Sequence, residues 1–188
     1  MFTELGILKL IKRSPQAAFA PAVAMIGVKA GDRVLVIGAG RPALAGQIAR
    51  VTGLNGQTTV VARGADAGRA IGEAAGQAGA LIEVVDAPAT QLPLDPQTWD
   101  AAVLPTGLAA LGTDAPLVLA EAIRVVRPGG RITVCESLPR AGLFRLAQTT
   151  AVTAPSTVVA RLTAAGLRAA RHVGDLDGVA YIEAARPR

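Results

Sequence analysis

Short apolar runs alternate along this chain with longer segments whose apolar residues recur at helical spacing. The short runs are bounded by glycine, asparagine or proline, which is typical of strands buried in a parallel sheet. Five runs are predicted as strands: Val34–Ile37, Thr58–Ala62, Leu81–Val85, Ala101–Leu104 and Arg131–Cys135. Because helical segments separate these strands, we expect parallel pairing with right-handed crossovers.

The helical segments begin and end at recognisable signals. Proline opens four of them, since the first helical turn needs no N–H from it. The predicted helices run from Pro15 to about Val28, from Pro42 to Thr52, from Asp66 to Ala78, from Pro116 to Val126 and from Ser156 to Ala165. The proline-rich segment Ala87–Thr98 is predicted as a loop.

Two further strands, Leu167–Val173 and Val179–Ala184, end the chain and are joined by a tight turn. A tight turn joins antiparallel neighbours, so the last strand is predicted to run antiparallel. The fold class that follows is α/β, a doubly wound Rossmann-like sheet of about seven strands. No repeat or linker interrupts the pattern. We therefore expect residues 1–188 to form a single domain, with N-terminal helices in 1–30 and the sheet in 31–188.

A glycine turn follows the first strand. Gly38, Ala39 and Gly40 separate that strand from a helix that begins at Pro42. Glycines let the backbone approach a ligand closely, and a helix N-terminus offers free N–H groups to an anion or a ribose. Strand, glycine turn and helix in this order predict a nucleotide-type cofactor site.

Composition narrows the possible classes of function. Hydrophobic residues make up 51% of the 188 residues and charged residues 18%, which indicates a folded rather than a disordered chain. The net charge of +5 comes mostly from scattered arginines, and aromatic residues are only 3%. A nucleic-acid binder more often has a basic stripe or a stacking platform, so nucleic acid is disfavoured as a partner. An acidic partner protein or an anionic membrane surface would suit this charge.

The single cysteine, Cys135, and the single histidine, His172, exclude an internal disulfide and a metal site of the usual composition. No catalytic residue is predicted. We expect a cytoplasmic protein, because no apolar run approaches the roughly 18 residues that span a bilayer and no secretory signal is found.

Residues 2–13 have the pattern of a short basic amphipathic helix. Such a helix either packs on the edge of its own domain or lies on a membrane surface or a partner. The second interpretation predicts peripheral contact with the inner face of a membrane.

Several stretches, taken in order, resemble the class I S-adenosylmethionine (SAM) methyltransferases. They are residues 27–40, 92–104, 121–137 and 166–187, and the third contains the sequence Arg-Pro-Gly-Gly. The resemblance implies a SAM site at the carboxyl ends of the first strands. The implied cofactor contacts are Gly38, Ala39 and Gly40 in the glycine turn, Ala62 and Arg63 after the second strand, and Asp86 and Ala87 after the third.

The chain also departs from the pattern of that family. The family usually has an acid two residues before the first glycine, where this chain has Val36, and a third glycine where it has Pro42. A second acid, at the end of the second strand, accepts hydrogen bonds from both ribose hydroxyls in the family. Ala62 and Arg63 occupy that place here, and neither side chain can accept a hydrogen bond.

Residues 105–114 lie where the ubiquinone/menaquinone C-methyltransferases of this family carry a Gly-Leu-Arg-Asn motif. The arginine and the asparagine are replaced here by Ala109 and Ala110. The resemblance to this subgroup implies a small hydrophobic acceptor, although two of the polar groups of its motif are absent.

Three hypotheses follow. The first is an accessory or structural subunit of a larger protein complex, a pseudoenzyme with an eroded SAM site. The second is an active SAM-dependent methyltransferase that acts on a small hydrophobic or quinone-like acceptor. The third is an NADP-binding protein, because an arginine at the position of Arg63 is how NADP-binding folds accommodate the 2′-phosphate.

Overall fold

The structure is a computed structural model that describes residues 15–139 and 152–188, with only the backbone given for residues 15–18. Its helices are α1 (Pro15–Ile26), α2 (Pro42–Thr52), α3 (Ala65–Ala78), α4 (Ala115–Val125) and α5 (Pro155–Ala164). None of these described helices is long and apolar enough to cross a membrane. The helix predicted over residues 2–13 lies outside the described residues.

The strands are β1 (Arg33–Ile37), β2 (Gln57–Ala62), β3 (Glu83–Asp86), β4 (Trp99–Leu104), β5 (Val126–Ser137), β6 (Arg168–Leu176) and β7 (Val179–Ala185). They form one sheet in the order β3-β2-β1-β4-β5-β7-β6. Strands β1 to β5 pair in parallel, and β7 is antiparallel to both of its neighbours. The predicted doubly wound α/β sheet with an antiparallel last strand is therefore confirmed.

Helices cover both faces of the central strands. Val34 and Val36 of β1 pack with residues of α1, α2 and α3, whereas Leu35 and Ile37 pack with residues of α4 and α5. Each of these four β1 side chains is at least 97% buried. A strand that is buried on both faces has no polar alternation, which is why the sequence shows it as a continuous apolar run.

The start of β3 differs from the prediction. The apolar run predicted a strand from Leu81, but β3 begins at Glu83, and Leu81 is 79% exposed. β3 is an edge strand, and its pairing with β2 starts only where Glu83 lies opposite Thr59. An apolar run does not encode where a partner strand ends.

β5 is longer at its start than predicted. It begins at Val126, directly after α4, and includes the Pro-Gly-Gly sequence that was expected to precede the strand. Gly129 donates a hydrogen bond to the carbonyl of Arg186, and Arg186 donates one to the carbonyl of Gly130. A Cβ on Gly130 would lie 2.5 Å from Val126 Cγ1, so this extension requires glycine at that position.

The loop over residues 87–98, predicted as such, is held on α4 by one ion pair. Arg124 donates to Glu121 and to the carbonyls of Leu92 and Leu94 over 2.7–2.9 Å. Glu121 in turn accepts a hydrogen bond of 2.7 Å from the amide of Leu92. The pair thus gives fixed partners to the backbone of a segment without a helix or strand of its own.

Candidate cofactor site

Four parallel strands, β3, β2, β1 and β4, end at the same edge of the sheet. The Gly38 amide donates a hydrogen bond of 2.8 Å to the carbonyl of Val61 in β2. Ala62 lies opposite Asp86 in the pairing of β2 with β3. The structure therefore brings all seven sequence-predicted site residues to one edge, which we call the cofactor crevice: Gly38, Ala39, Gly40, Ala62, Arg63, Asp86 and Ala87. Whether they contact a cofactor stays a prediction.

The glycine turn packs against the residue that follows the end of β4 by two positions, Thr106. Gly38 has a φ of +103°, which strongly favours glycine. Gly40 needs no unusual φ, but a Cβ there would lie 2.1 Å from Thr106 Cγ2. The absence of a side chain at Gly40 thus makes room for the protein itself. Sequence reasoning missed Thr106. Its position two residues after β4 was the signal that could have found it, because β4 pairs with β1.

The end of β2 offers a methyl group and a guanidinium. Ala62 is 7% exposed and packs with residues of α1, α2 and α3. Arg63 is exposed and makes no hydrogen bond or ion pair with another described residue. Neither residue supplies the acceptor that the family places here for the ribose.

Asp86 is the one carboxylate among the predicted site residues. Its Oδ1 accepts a hydrogen bond of 3.3 Å from the amide of Gly64, in the turn between β2 and α3. Gly64 has a φ of +87°, so the carboxylate supports a turn that depends on glycine. Asp86 is exposed, whereas Ala87 is buried in the same apolar cluster as the loop residue Leu92. Asp86 therefore has a structural role in addition to the cofactor contact that was predicted for it.

The structure also shows the surroundings of Val36 and Pro42, the two other positions at which the chain departs from the family pattern. Val36 is 1% exposed among apolar side chains, so an acid at this place would be buried without a partner. Pro42 is the first residue of α2, where its ring is compatible with the helix. Arg41, just before it, lies beside the hydroxyl of Tyr181, whose pKa is raised by burial.

A buried carboxyl group lies under the loop that follows β4. Glu136 of β5 is 0% exposed, and its Oε2 accepts hydrogen bonds from the amides of Leu108 (2.7 Å) and Ala109 (3.4 Å). Its Oε1 is buried and has no hydrogen-bond partner. Burial raises the pKa of this carboxyl group above its usual range, although the two amides act in the opposite direction. Sequence reasoning did not single out Glu136.

The family of the chain is decided by comparison with known proteins. A family model for a methyltransferase domain matches residues 35–134, which is more than half of the chain. The chain belongs to this methyltransferase family. Together with the sheet order, the match places it in the class I SAM-dependent methyltransferase superfamily.

Curated methyltransferases resemble parts of the chain. It is 35% identical over 129 residues to a ubiquinone/menaquinone biosynthesis C-methyltransferase of Teredinibacter turnerae, covering 66% of this chain and 51% of that protein. A demethylmenaquinone methyltransferase of Mycolicibacterium gilvum is 41% identical over 75 residues, 39% of this chain and 32% of that protein. The chain thus spans about half or less of the length of these relatives.

The fold of the chain matches a solved structure over nearly its whole length. A SAM-dependent methyltransferase from Aquifex aeolicus superposes with a TM-score of 0.73 and 20% identity, covering 98% of this chain and 99% of that chain. Nothing in these comparisons supports the NADP hypothesis that Arg63 suggested.

The crevice fits SAM only in part. The glycine turn, the N-terminus of α2 and Asp86 are in the family's positions, but the carboxylates expected at Val36 and Ala62 are absent. Part of the space beside Gly40 is occupied by Thr106. The set of donors and acceptors at this edge of the sheet is therefore smaller than the family pattern implies.

Proposed function

We propose that this methyltransferase-family chain has an eroded SAM crevice and acts as an accessory or structural subunit of a larger complex. The observation that carries the proposal is made at the carboxyl end of β2. Ala62 is buried there, and the side chain of Arg63 has no acceptor for the hydroxyl groups of a ribose. A pair of charge-assisted hydrogen bonds is worth roughly 2 to 4 kcal/mol of binding, a factor of tens to hundreds in affinity.

The remaining carboxylate does not replace the missing one. Asp86 belongs to β3, one strand further from the glycine turn, and one of its oxygens already accepts a hydrogen bond from Gly64. A fold of this kind supports many functions, so the loss of cofactor contacts leaves the surface free to serve a partner. The net charge of +5 and the basic segment over residues 2–13 favour an acidic protein or an anionic membrane surface as that partner.

The proposal is tested by calorimetric titration of the purified chain with SAM, beside Ala62→Asp and Ala62→Asn. We expect no binding tighter than about 100 μM for the unaltered chain and a gain of roughly ten- to a hundredfold for Ala62→Asp. Ala62→Asn has a similar size without the charge and should gain less. Val36→Asp is less suitable as a restoring change, because Val36 is 1% exposed, whereas Ala62 is 7% exposed at the end of its strand.

Low-micromolar SAM binding by the unaltered chain would contradict the eroded crevice. It would favour a second proposal, an active methyltransferase for a small hydrophobic or quinone-like acceptor. The observation in its favour is the pair of relatives named for menaquinone or ubiquinone methylation. Methyl transfer depends mainly on proximity and in-line approach, so the lack of an evident base does not oppose it. Transfer of a labelled methyl group from SAM to demethylated quinones, above the rate without protein, would establish this second function.

A further inference from the structure

Glu136 connects β5 with the loop that leaves β4. Gly107 lies directly over its carboxyl group: a Cβ there would be 2.7 Å from Oε2, 2.8 Å from Cδ and 2.9 Å from Oε1. Gly107 has a φ of +76°, and the next residue, Leu108, donates its amide to Oε2. The loop therefore follows the shape of the carboxyl group closely.

Burial of the Glu136 side chain in this arrangement costs free energy. Its Oε1 has no partner, and the charged group that attracts it is Arg161 of α5, which lies too far away for a hydrogen bond. An apolar side chain would fill the same space without an unpaired oxygen, but it could not accept the Leu108 amide. A buried polar group that remains unpaired in a folded protein requires an explanation. Here the explanation is that the carboxyl group accepts the hydrogen bond from the Leu108 amide.

The same loop reaches the cofactor crevice. Thr106, immediately before Gly107, packs its methyl group against Gly40 and places its Oγ1 3.9 Å from where a Cβ of Gly38 would lie. A continuous series of contacts thus runs from Glu136 through the loop to the glycine turn. No part of this series requires a bound cofactor.

We propose that Glu136 is a positioning residue that holds residues 105–109 against the glycine turn and so sets the shape of the crevice without a cofactor. The inference rests on the proposed function, since it explains how an eroded crevice keeps its form. It assigns Glu136 no contact with SAM or an acceptor. Thr106 is the residue through which it acts.

Hydrogen–deuterium exchange of the ligand-free chain, read by mass spectrometry, tests the proposal. The variants are Glu136→Leu, Glu136→Gln and Thr106→Ser. Glu136→Leu should speed amide exchange about tenfold in peptides that cover residues 38–45 and 105–111. Glu136→Gln keeps an acceptor oxygen for the Leu108 amide and should restore most of the protection. Thr106→Ser removes the methyl group that contacts Gly40, so it should speed exchange in residues 38–45 alone.

Val158→Ala is the matched control, because Val158 is also 0% exposed but lies in α5. This variant should speed amide exchange, but it should not do so preferentially in residues 38–45. The proposal is overturned if Glu136→Leu loosens residues 105–111 and leaves residues 38–45 as in the unaltered chain. If that variant does not fold, Thr106→Ser decides, and unchanged exchange in residues 38–45 overturns the proposal. Because no ligand is present, the exchange result does not depend on SAM affinity, so a failure of this proposal is distinguishable from a failure of the proposed function.

Discussion

Gly107, in the loop after β4, tolerates little change. Its positive φ strains any other residue, and a Cβ would meet the carboxyl group of Glu136. We expect Gly107→Ala to lower the free energy of unfolding by about 3 kcal/mol, measured by urea denaturation. Gly112→Ala is the control, since Gly112 has a φ of +55° with nothing within 4 Å of a Cβ. It should cost only about 1 kcal/mol. Equal losses of unfolding free energy for the two variants would mean that the contact with Glu136 does not contribute to the effect of Gly107→Ala.

Cys135 is a buried core side chain whose thiol is difficult to ionise. Burial raises its pKa from 9.0 to about 12. Because it is the only cysteine, its reaction with a maleimide can be followed without interference. We expect modification at pH 8 to be at least about 100-fold slower in the folded chain than in urea. Rapid labelling of the folded chain would show that the strand opens locally.

The same shift predicts an alkaline loss of stability. The folded state keeps the thiol proton to a higher pH than the unfolded state. The contribution of this thiol to the free energy of unfolding is therefore complete below pH 9 and is lost as the pH rises towards 12. Urea denaturation at pH 8 and pH 10.5 should show a smaller decrease for Cys135→Ala than for the unaltered chain. Tyr181, whose pKa burial also raises, should add to the decrease in both proteins.

At the scale of elements, α4 stabilises the long loop between β3 and β4. Arg124→Ala removes the donors to the carbonyls of Leu92 and Leu94 and should cost about 1 to 2 kcal/mol in urea denaturation. Arg69→Ala is the control: Arg69 is paired with Asp66 on the exposed surface of α3, and its loss should cost less than about 0.5 kcal/mol.

The α4 ion pair also predicts a pH dependence. Hydrogen bonding from Arg124 holds the pKa of Glu121 below its ordinary value of 4.5. The stabilisation is therefore present above pH 4.5 and is lost as the pH falls through the pKa of the folded state. The difference in unfolding free energy between the unaltered chain and Arg124→Ala should shrink between pH 6 and pH 3.5. A difference that is constant over this range would contradict the role of the ion pair.

For the molecule as a whole, the proposed accessory role predicts a stable assembly. The tagged chain, isolated from its own cells under mild conditions, should be recovered with a larger protein in fixed stoichiometry. Size-exclusion chromatography with light scattering gives the mass of the assembly. A monodisperse monomer without a partner, together with SAM binding in the low micromolar range, would instead favour an active enzyme.

The elements of this chain could be predicted from local sequence. Apolar runs of four to seven residues, prolines at helix starts and glycines after helix ends placed five described helices and seven strands nearly as the structure has them. The predicted start of β3 and the predicted length of β5 were wrong, because both are set by pairing with a neighbouring strand. The cofactor crevice was predicted as a set of strand ends, since parallel strands bring their carboxyl ends to one edge.

By itself, the sequence determined the order of strands and helices, the glycine turn and the absence of the ribose acid at Ala62 and Arg63. These depend on residue type and on neighbours along the chain. Only the tertiary structure decided that Gly40 accommodates Thr106 and that Glu136 supports the loop at Leu108. Such contacts join residues that are 28 to 66 positions apart, and their distances depend on how the sheet brings β1, β4 and β5 together.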